Sequence, residues 1–267
     1  MTPERNIWSQ TLPFPVLLPD WSGLPAHVRA FTTVRQGGES LGTYGALEGN
    51  GGFNLGDHVG DDQIAVASNR DQLNRQFSSD VIFLSQVHGN IVLDDLTVSA
   101  GACADAVVSQ QANAICAVLT ADCLPVLFTD TAGKVVGAAH AGWRGLAAGV
   151  LQNTVNKMRA AGAGEIIAWM GPAIGPDQFE VGEDVLTAFS AQIENVEIYF
   201  RPKDGSGEAG KYLANIYGLA RKLLNAVGVS EISGGNRCTV TESSCFYSYR
   251  RDGVTGRMAS LIWIAGD

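Results

Sequence analysis

Two residues with reactive side chains, Cys123 and His140, lie at the base of a predicted β-hairpin. Apolar runs at 124–128 and 135–139 have the composition of strands, and residues 130–133 between them are typical of a turn. A two-residue loop within this turn places Cys123 directly opposite His140, where Cβ atoms lie about 4.5–5.5 Å apart. One metal ion or one proton could then serve both side chains.

His88 is a third candidate, because it follows an apolar run at 81–84 that predicts a strand. Of the four histidines in the chain, only His88 and His140 stand at predicted strand ends close to glycine. Two imidazoles and one thiolate form a ligand set that suits zinc, which in catalytic sites keeps a fourth position for water or substrate. Copper is also compatible with these ligands.

The spacing of these residues leaves other interpretations open. Separations of 35 residues from His88 to Cys123 and 17 from Cys123 to His140 match no standard short metal motif. A metal-free pair is one alternative, in which His140 lowers the pKa of Cys123 and the thiolate attacks a carbonyl carbon. A pair of structural core residues is the other.

Four arginines are candidates for binding phosphate or another anion: Arg35, Arg144, Arg250 and Arg251. Arg35 precedes two glycines, Arg144 begins a predicted helix whose N-terminal amides attract anions, and the other two follow aromatic residues. Each also has a structural interpretation. Arg35 could be a solvated side chain before a turn, and Arg144 could pair with a structural carboxylate. Arg250 and Arg251 could be surface charges on a loop anchored by aromatic residues.

Mixed hydrophobic periodicity predicts an α+β fold. Apolar runs predict strands at 28–34, 81–84, 91–93, 104–108, 114–119, 124–128, 135–139, 166–170, 196–200, 232 and 258–264. Helices are predicted at 64–77, 146–158, 185–193 and 212–227, and the glycine-rich residues 42–60 predict a long mobile loop. Hairpins alternate with strand–helix–strand crossovers, so the sheet should be mixed.

Composition favours one globular domain over residues 1–267, with a core at about 28–265 and an extended, proline-rich lead-in at 1–27. A net charge of −9 argues against nucleic-acid binding. The sequence shows neither a signal peptide nor an apolar run of membrane-spanning length, so we expect a cytoplasmic protein without membrane contact. The five scattered cysteines suggest reduced thiols rather than a disulfide framework.

Seven ordered segments within residues 31–264 carry a resemblance to a known family. They are Arg35-Gln-Gly-Gly-Glu-Ser40, Asn54-Leu-Gly56, Gln86-Val-His-Gly89, Thr120-Ala-Asp-Cys-Leu-Pro-Val126, Ala139-His-Ala-Gly-Trp-Arg-Gly145, Gly171-Pro-Ala-Ile-Gly175 and Phe246-Tyr-Ser-Tyr-Arg-Arg-Asp252. With these motifs the chain resembles the YfiH family, also called the laccase-domain or polyphenol-oxidase family. It departs from the family pattern at 43–55, where members have a shorter segment.

The resemblance implies a zinc site made by His88, Cys123 and His140, which would also be the catalytic residues. It implies phosphorolysis of adenosine, inosine and methylthioadenosine, with adenosine deamination, and hence a nucleoside and phosphate as partners of a monomer or homodimer. The implied fold is a layered α/β/β/α sandwich related to cysteine-hydrolase-like toxins.

Two further activities are attached to the family. One is copper-dependent phenol oxidation, which ordinarily needs several coppers held by many histidines, whereas this chain has four. The other is correction of peptidoglycan precursors, which would suit a Cys-His hydrolase or amidase.

Overall fold

A computed structural model of the chain describes residues 8–9, 12–94, 97–203 and 210–266. Its strands are β1 (Trp8–Ser9), β2 (Val16–Leu17), β3 (Val28–Thr33), β4 (Gln36–Ser40), β5 (Val92–Asp94), β6 (Ala106–Ser109), β7 (Cys116–Thr120), β8 (Leu124–Asp130), β9 (Val136–Ala141), β10 (Ile166–Met170), β11 (Glu180–Gly182), β12 (Phe200–Pro202), β13 (Lys211–Ala214), β14 (Ile232–Gly234) and β15 (Met258–Ile264). Its α-helices are α1 (Gln63–Asn74), α2 (Trp143–Ala147), α3 (Val150–Ala160), α4 (Glu183–Ser190), α5 (Ile216–Ala226) and α6 (Tyr249–Asp252).

The described strands other than β4, which makes only isolated bridges to Gly52, form two large sheets and a small one. The first sheet has the order β1-β2-β3-β15-β7, the second β14-β10-β8-β9-β6-β5, and the third β11-β13-β12. The second sheet is mixed, because β10 pairs in parallel with β14 and β5 with β6, whereas β8, β9 and β10 are antiparallel neighbours. The predicted α+β class with a mixed sheet is confirmed.

The inner strands of the second sheet, β10, β8, β9 and β6, are buried on both faces. Along β8, Val126 and Phe128 pack in a core with α3 and α5, whereas the intervening Leu127 packs in a core shared with β7 and β15 of the first sheet. The outer face of the first sheet contributes Leu119 and Leu261 to a third core, which Leu73 of α1 joins. The layers therefore run α/β/β/α, as the family resemblance implies.

The predicted hairpin exists, but its predicted register is wrong by two residues. The pairing of β8 with β9 places His140 opposite Pro125, not opposite Cys123. The loop is longer than predicted, because the side chain of Asp130 accepts the N–H groups of Lys134 and Val135 and closes a wider turn. A shift of two keeps side chains on the same face of a sheet, so Cys123 and His140 still project to one side.

Two predicted strands have other conformations. Residues 81–84 pair with no strand in the described chain, although Val81 and Leu84 are buried, and the neighbouring Ser85 forms only an isolated bridge with Cys103. Residues 196–200 form a 3₁₀ turn at Val196–Tyr199 before β12 begins. At 81–84 the sequence correctly indicated burial, but burial does not require pairing in a sheet. At 196–200 Val196 and Phe200 are buried, whereas Ile198 is 72% exposed.

The helices predicted at 64–77 and 185–193 are α1 and α4, with ends that differ by up to three residues, and the other two predicted helices differ more. The helix expected at 146–158 is divided into α2 and α3 by Gly149, whose φ of 92° is left-handed and interrupts helical geometry. The helix expected from residue 212 begins as α5 at Ile216, because residues 211–214 pair as β13. Asn215 caps α5 by accepting the N–H of Gly218 at 2.9 Å.

The glycine-rich segment 42–60, predicted as a loop from its composition, contains residues that pack in a core. Its Phe53 and Leu55 are fully buried in the third core. The buried Asn69 side chain of α1 donates to the carbonyls of Gly52 at 3.2 Å and Asn54 at 2.9 Å, which ties the segment to the helix. Part of the predicted lead-in is likewise ordered, since β2 pairs with β3. No helix among the described residues has the length and apolarity needed to cross a membrane.

Because β8 is buried on both faces, consecutive side chains along it should contribute similarly to the free energy of unfolding. We expect Leu127→Ala and Phe128→Ala each to lower the free energy of unfolding by about 2–5 kcal/mol, because each leaves a cavity in a different core. Chemical denaturation measures this, with Ile64→Ala, at a position 82% exposed, as a control that should change it by less than about 0.5 kcal/mol. A neutral Leu127→Ala would contradict the two-sided burial.

Candidate metal centre

His88, Cys123 and His140 come together in the structure. Each offers one ligand atom, and these atoms all lie within 4.8 Å of one another. Nε2 of His88 is 3.6 Å from Sγ of Cys123, and the two imidazole rings meet edge to face with centroids 4.8 Å apart. Three segments distant in sequence therefore present two nitrogens and a sulfur to one point.

Cys123 is positioned by the residue before it. Asp122 has a φ of 83°, a left-handed conformation that aspartate tolerates better than most residues. Its carboxylate accepts the Thr239 hydroxyl at 2.5 Å and the Arg250 backbone N–H at 2.6 Å. These bonds fix the sharp bend between β7 and β8, so Cys123 stands just ahead of the first residue of β8.

His88 is held on a turn by the buried carboxylate of Asp105. His88 has a φ of 60°, and the carboxylate accepts the backbone N–H groups of His88 at 2.9 Å, Gly89 at 2.7 Å and Val87 at 3.3 Å. Three N–H donors converging on one carboxylate form an anion-binding nest. The turn that presents His88 therefore depends on a side chain from the start of another strand.

The same carboxylate orients His140. Nδ1 of His140 lies 2.8 Å from Oδ1 of Asp105, and the His140 N–H donates to the Asp105 carbonyl at 2.7 Å. With Nδ1 bound to Asp105, Nε2 is left for a metal or a proton acceptor. Burial raises the pKa of Asp105, but the His140 hydrogen bond and the backbone N–H donors outweigh it and lower the pKa below its ordinary value.

Cys123 and His140 form a charge-separated pair in the metal-free protein. Burial opposes ionisation of the thiol, yet the charge and hydrogen bond of His140, followed by those of His88, lower the pKa of Cys123 to about 6. Burial also opposes protonation of His140, but the Cys123 thiolate and then Asp105 raise its pKa to about 9. The sulfur is therefore a thiolate at neutral pH, the form that binds metals and attacks carbon.

Gly142 allows the close approach of the three side chains. A Cβ atom at this position would lie 2.7 Å from Cδ2 of His88 and 3.0 Å from Sγ of Cys123. Both distances are shorter than van der Waals contact. Glycine is therefore required where β9 passes into α2.

The three side chains line the wall of a cavity of about 1350 Å³. Tyr249 and Arg257 line the cavity near Cys123, and Asp57 and Arg70 also contribute to its wall. The volume exceeds the range of about 300–1,000 Å³ common for small-molecule pockets. A small organic molecule together with a small anion could therefore be accommodated beside the three candidate ligands.

The donor set fits zinc. Two imidazole nitrogens and a thiolate are typical zinc ligands, and the tetrahedral geometry of zinc places ligand atoms about 3.5 Å apart, close to the 3.6 Å between His88 and Cys123. The Asp105 carboxylate on Nδ1 of His140 is the outer hydrogen-bond partner usual for a metal-binding histidine. Three protein ligands leave one coordination position open.

None of the four arginines named from the sequence lines this cavity. Arg35 is buried, donates to the Gly45 carbonyl at 2.8 Å and lies 3.6 Å from the Asp252 carboxylate. Arg251 also binds the Asp252 carboxylate and donates to three backbone carbonyls. Arg144 lies over the Trp143 ring. Arg250 donates to the Glu180 carbonyl at 2.9 Å. Arg35 is thus buried rather than solvated, and the contact of Arg144 is an aromatic ring rather than the expected carboxylate. The contacts of Arg250 and Arg251 agree with a loop anchored by aromatic residues.

Sequence reasoning missed three residues of the site: Asp105, Tyr249 and Arg257. A signal existed for Asp105, which is an acid within the otherwise apolar run 104–108 and is fully buried. Tyr249 lies within a motif that drew attention only for its arginines, and Arg257 sits alone before β15. Nothing local in the sequence indicates that Arg257 lines the same cavity as Cys123.

Comparison with known proteins gives a consistent result. A Haemophilus influenzae protein named purine nucleoside phosphorylase is 48% identical over 92% of this chain and 97% of its own length. The Escherichia coli K12 protein named purine nucleoside phosphorylase YfiH is also 48% identical, over 93% of this chain and 98% of its own length.

Solved structures agree with the sequence relatives. The crystal structure of a Neisseria meningitidis protein superposes with a TM-score of 0.85 at 46% identity, covering 94% of this chain and 99% of that one. The crystal structure of YlmD from Geobacillus stearothermophilus superposes with a TM-score of 0.81 at 30% identity, covering 97% and 99%.

The family described as multi-copper polyphenol oxidoreductase laccase matches residues 29–265, which include all three candidate ligands. This match agrees in extent with the YfiH relatives and with the shared layered fold. The chain therefore belongs to the laccase-domain family, the YfiH family that its motifs indicate.

Proposed function

We propose that this protein is a zinc-dependent purine nucleoside phosphorylase. The observation that carries the proposal is its 48% identity, over nearly the whole length, to proteins of that name. The geometry supports it, because three metal-ligating side chains line a cavity large enough for a nucleoside and phosphate. Adenosine, inosine and methylthioadenosine are the substrates we propose, with adenosine deamination as a second reaction.

Each residue has a defined task in this proposal. Nε2 of His88, Sγ of Cys123 and Nε2 of His140 would hold zinc, which supplies Lewis-acid chemistry and lowers the pKa of bound water to about 7. Asp105 holds the Nδ1 proton of His140 and the turn of His88. Tyr249, 61% exposed on the cavity wall, offers an aromatic face to a purine ring.

The metal assignment predicts the metal content of variants. Purified protein should contain about one equivalent of zinc, and Cys123→Ala/His140→Ala should contain almost none, because one ligand alone remains. Asp105→Asn should weaken zinc affinity by about 10- to 100-fold, since His140 and His88 lose their common orienting group. Elemental analysis and competition with a chelating dye measure both quantities.

A matched double variant controls for the removal of one cysteine and one histidine. Cys103 and His58 are exposed and outside the three-residue group, so Cys103→Ala/His58→Ala should retain its zinc. Full metal content in Cys123→Ala/His140→Ala would refute the proposed ligands.

The reaction assignment predicts two separable products. Adenosine incubated with phosphate should give adenine and ribose 1-phosphate in addition to the deamination products, and without phosphate it should give only inosine and ammonia, because deamination consumes water instead. Chromatography of the bases and an enzymatic assay for ammonia distinguish the two reactions. If zinc-loaded protein turns over none of adenosine, inosine and methylthioadenosine, the proposal is refuted.

Two other functions compete for the same residues. The Cys123 thiolate beside a protonated His140 favours a Cys-His hydrolase or amidase, such as one acting on a peptidoglycan precursor. Copper-dependent phenol oxidation corresponds to the name of the family. It lacks a comparable structural basis, because the described residues bring together one three-ligand group, whereas multi-copper chemistry requires several metal sites.

Alkylation of Cys123 separates the phosphorylase from the thiol hydrolase. In zinc-loaded protein iodoacetamide should leave Cys123 unmodified, because the sulfur is bound to metal. After chelation the thiol should react, and its rate should fall as the pH drops through about 6, where the thiolate is protonated. Peptide mass mapping locates the adduct. Rapid modification of fully metallated protein, together with activity that survives chelation, would favour the hydrolase.

A further inference from the structure

Phosphorolysis requires a cation that binds the attacking phosphate beside the nucleoside. None of the four arginines named from the sequence lines the cavity. Among the residues that do line it, the arginines are Arg70 and Arg257. The two differ in whether a carboxylate already neutralises them.

Arg70 is neutralised by a partner. Its Nη1 lies 2.9 Å from Oδ2 of Asp57, its Nε donates to the Leu55 carbonyl at 2.9 Å, and its guanidinium lies over the Phe83 ring. An anion would have to compete with Asp57 for this side chain. Arg70 is therefore a poor phosphate ligand and a good control.

Arg257 is held next to the candidate metal ligands by strand pairing. Met258, which follows it, pairs with Thr120 in the register of β15 and β7, so Arg257 falls beside Ala121, two residues before Cys123. The Arg257 N–H also donates to Oδ1 of Asn54 at 2.8 Å, and its carbonyl accepts from Leu55 at 3.1 Å. These contacts fix the backbone from which the side chain reaches the cavity.

The guanidinium of Arg257 has no carboxylate partner among the described residues. Its Nη1 donates to the carbonyls of Thr255 at 3.0 Å and Gly256 at 3.1 Å, and its Nε and Nη2 make no hydrogen bond within the described chain. Burial lowers the pKa of Arg257, and the Cys123 thiolate, followed by Asp122, raises it. The Arg257 charge is therefore within electrostatic reach of Cys123.

We propose that Arg257 binds the phosphate nucleophile of nucleoside phosphorolysis; this rests on the proposed phosphorylase activity. A phosphate oxygen forms a bond to C1′ of the ribose while the C1′–N9 bond breaks. The bonding electrons pass to the purine, which takes the proton of hydrogen phosphate, so ribose 1-phosphate and the free base are the products. Two unpaired N–H groups of a planar guanidinium match two phosphate oxygens.

The test compares arginine variants of the zinc-loaded enzyme with inosine and phosphate as substrates. Arg257→Gln should raise the KM for phosphate by at least about 10-fold, because a charge-assisted contact is lost, while the KM for inosine changes little. Arg257→Lys keeps the charge without the bidentate geometry and should have an intermediate KM for phosphate. Zinc content and thermal melting confirm that each variant is folded.

Matched controls remove an arginine elsewhere. Arg70→Gln, in the same cavity, and Arg250→Gln, whose guanidinium binds the Glu180 carbonyl, should leave the KM for phosphate unchanged. Calorimetric titration with inorganic phosphate should show binding to wild type and Arg70→Gln, and loss of binding in Arg257→Gln.

The outcomes separate the two proposals. Wild-type phosphorolysis with an unchanged KM for phosphate in Arg257→Gln would overturn the role of Arg257 and leave the phosphorylase intact. A raised KM for phosphate in Arg250→Gln alone would assign the phosphate to α6, which carries Arg250. Failure of wild-type protein to form ribose 1-phosphate would instead remove the phosphorylase proposal, and with it the phosphate role of Arg257.

Discussion

The arrangement of the candidate site depends on one buried carboxylate. Asp105 is fully buried, and its side chain accepts three backbone N–H groups and Nδ1 of His140. An ionised carboxylate without partners would be very unfavourable in such an environment, so these bonds are what stabilises Asp105 there. One interaction thereby fixes both the left-handed turn of His88 and the orientation of His140.

Burial of strands β8 and β9 on both faces holds the candidate ligands in defined positions. Its strands β8 and β9 are buried along their whole length, so the hairpin that carries His140 and precedes Cys123 cannot shift without disturbing two cores. Gly142 then removes the one side chain that would separate His88 from Cys123. Rigid strands and a glycine at the point of contact hold the three side chains at ligand distances.

The net charge of the whole chain and the local charge in the cavity have opposite effects on the binding of anions. The chain has a net charge of −9, which opposes the approach of anions such as phosphate. Within the cavity, Arg257 lacks a carboxylate partner in the described chain, and Arg70 is offset by Asp57. A local unpaired cation in a partly desolvated position can outweigh a diffuse surface charge that salt screens.

The sequence alone determined the reactive residues and most of the strands. His88, Cys123 and His140 could be selected from residue type and placement, and β10 was predicted with its observed bounds, because a short apolar run between polar segments specifies a buried strand. The α+β class followed from the alternation of strand and helix patterns.

Tertiary structure decided the register of the hairpin, the role of Asp105 and the position of Arg257. Side chains alternate along a strand with a period of two, so a register shift of two residues leaves the apolar pattern unchanged and cannot be read from sequence. Asp105 meets His88, and Arg257 approaches Cys123, only through contacts between segments far apart in the chain. Local patterns specify which face of an element is buried, but the packing of the sheets decides which side chains meet.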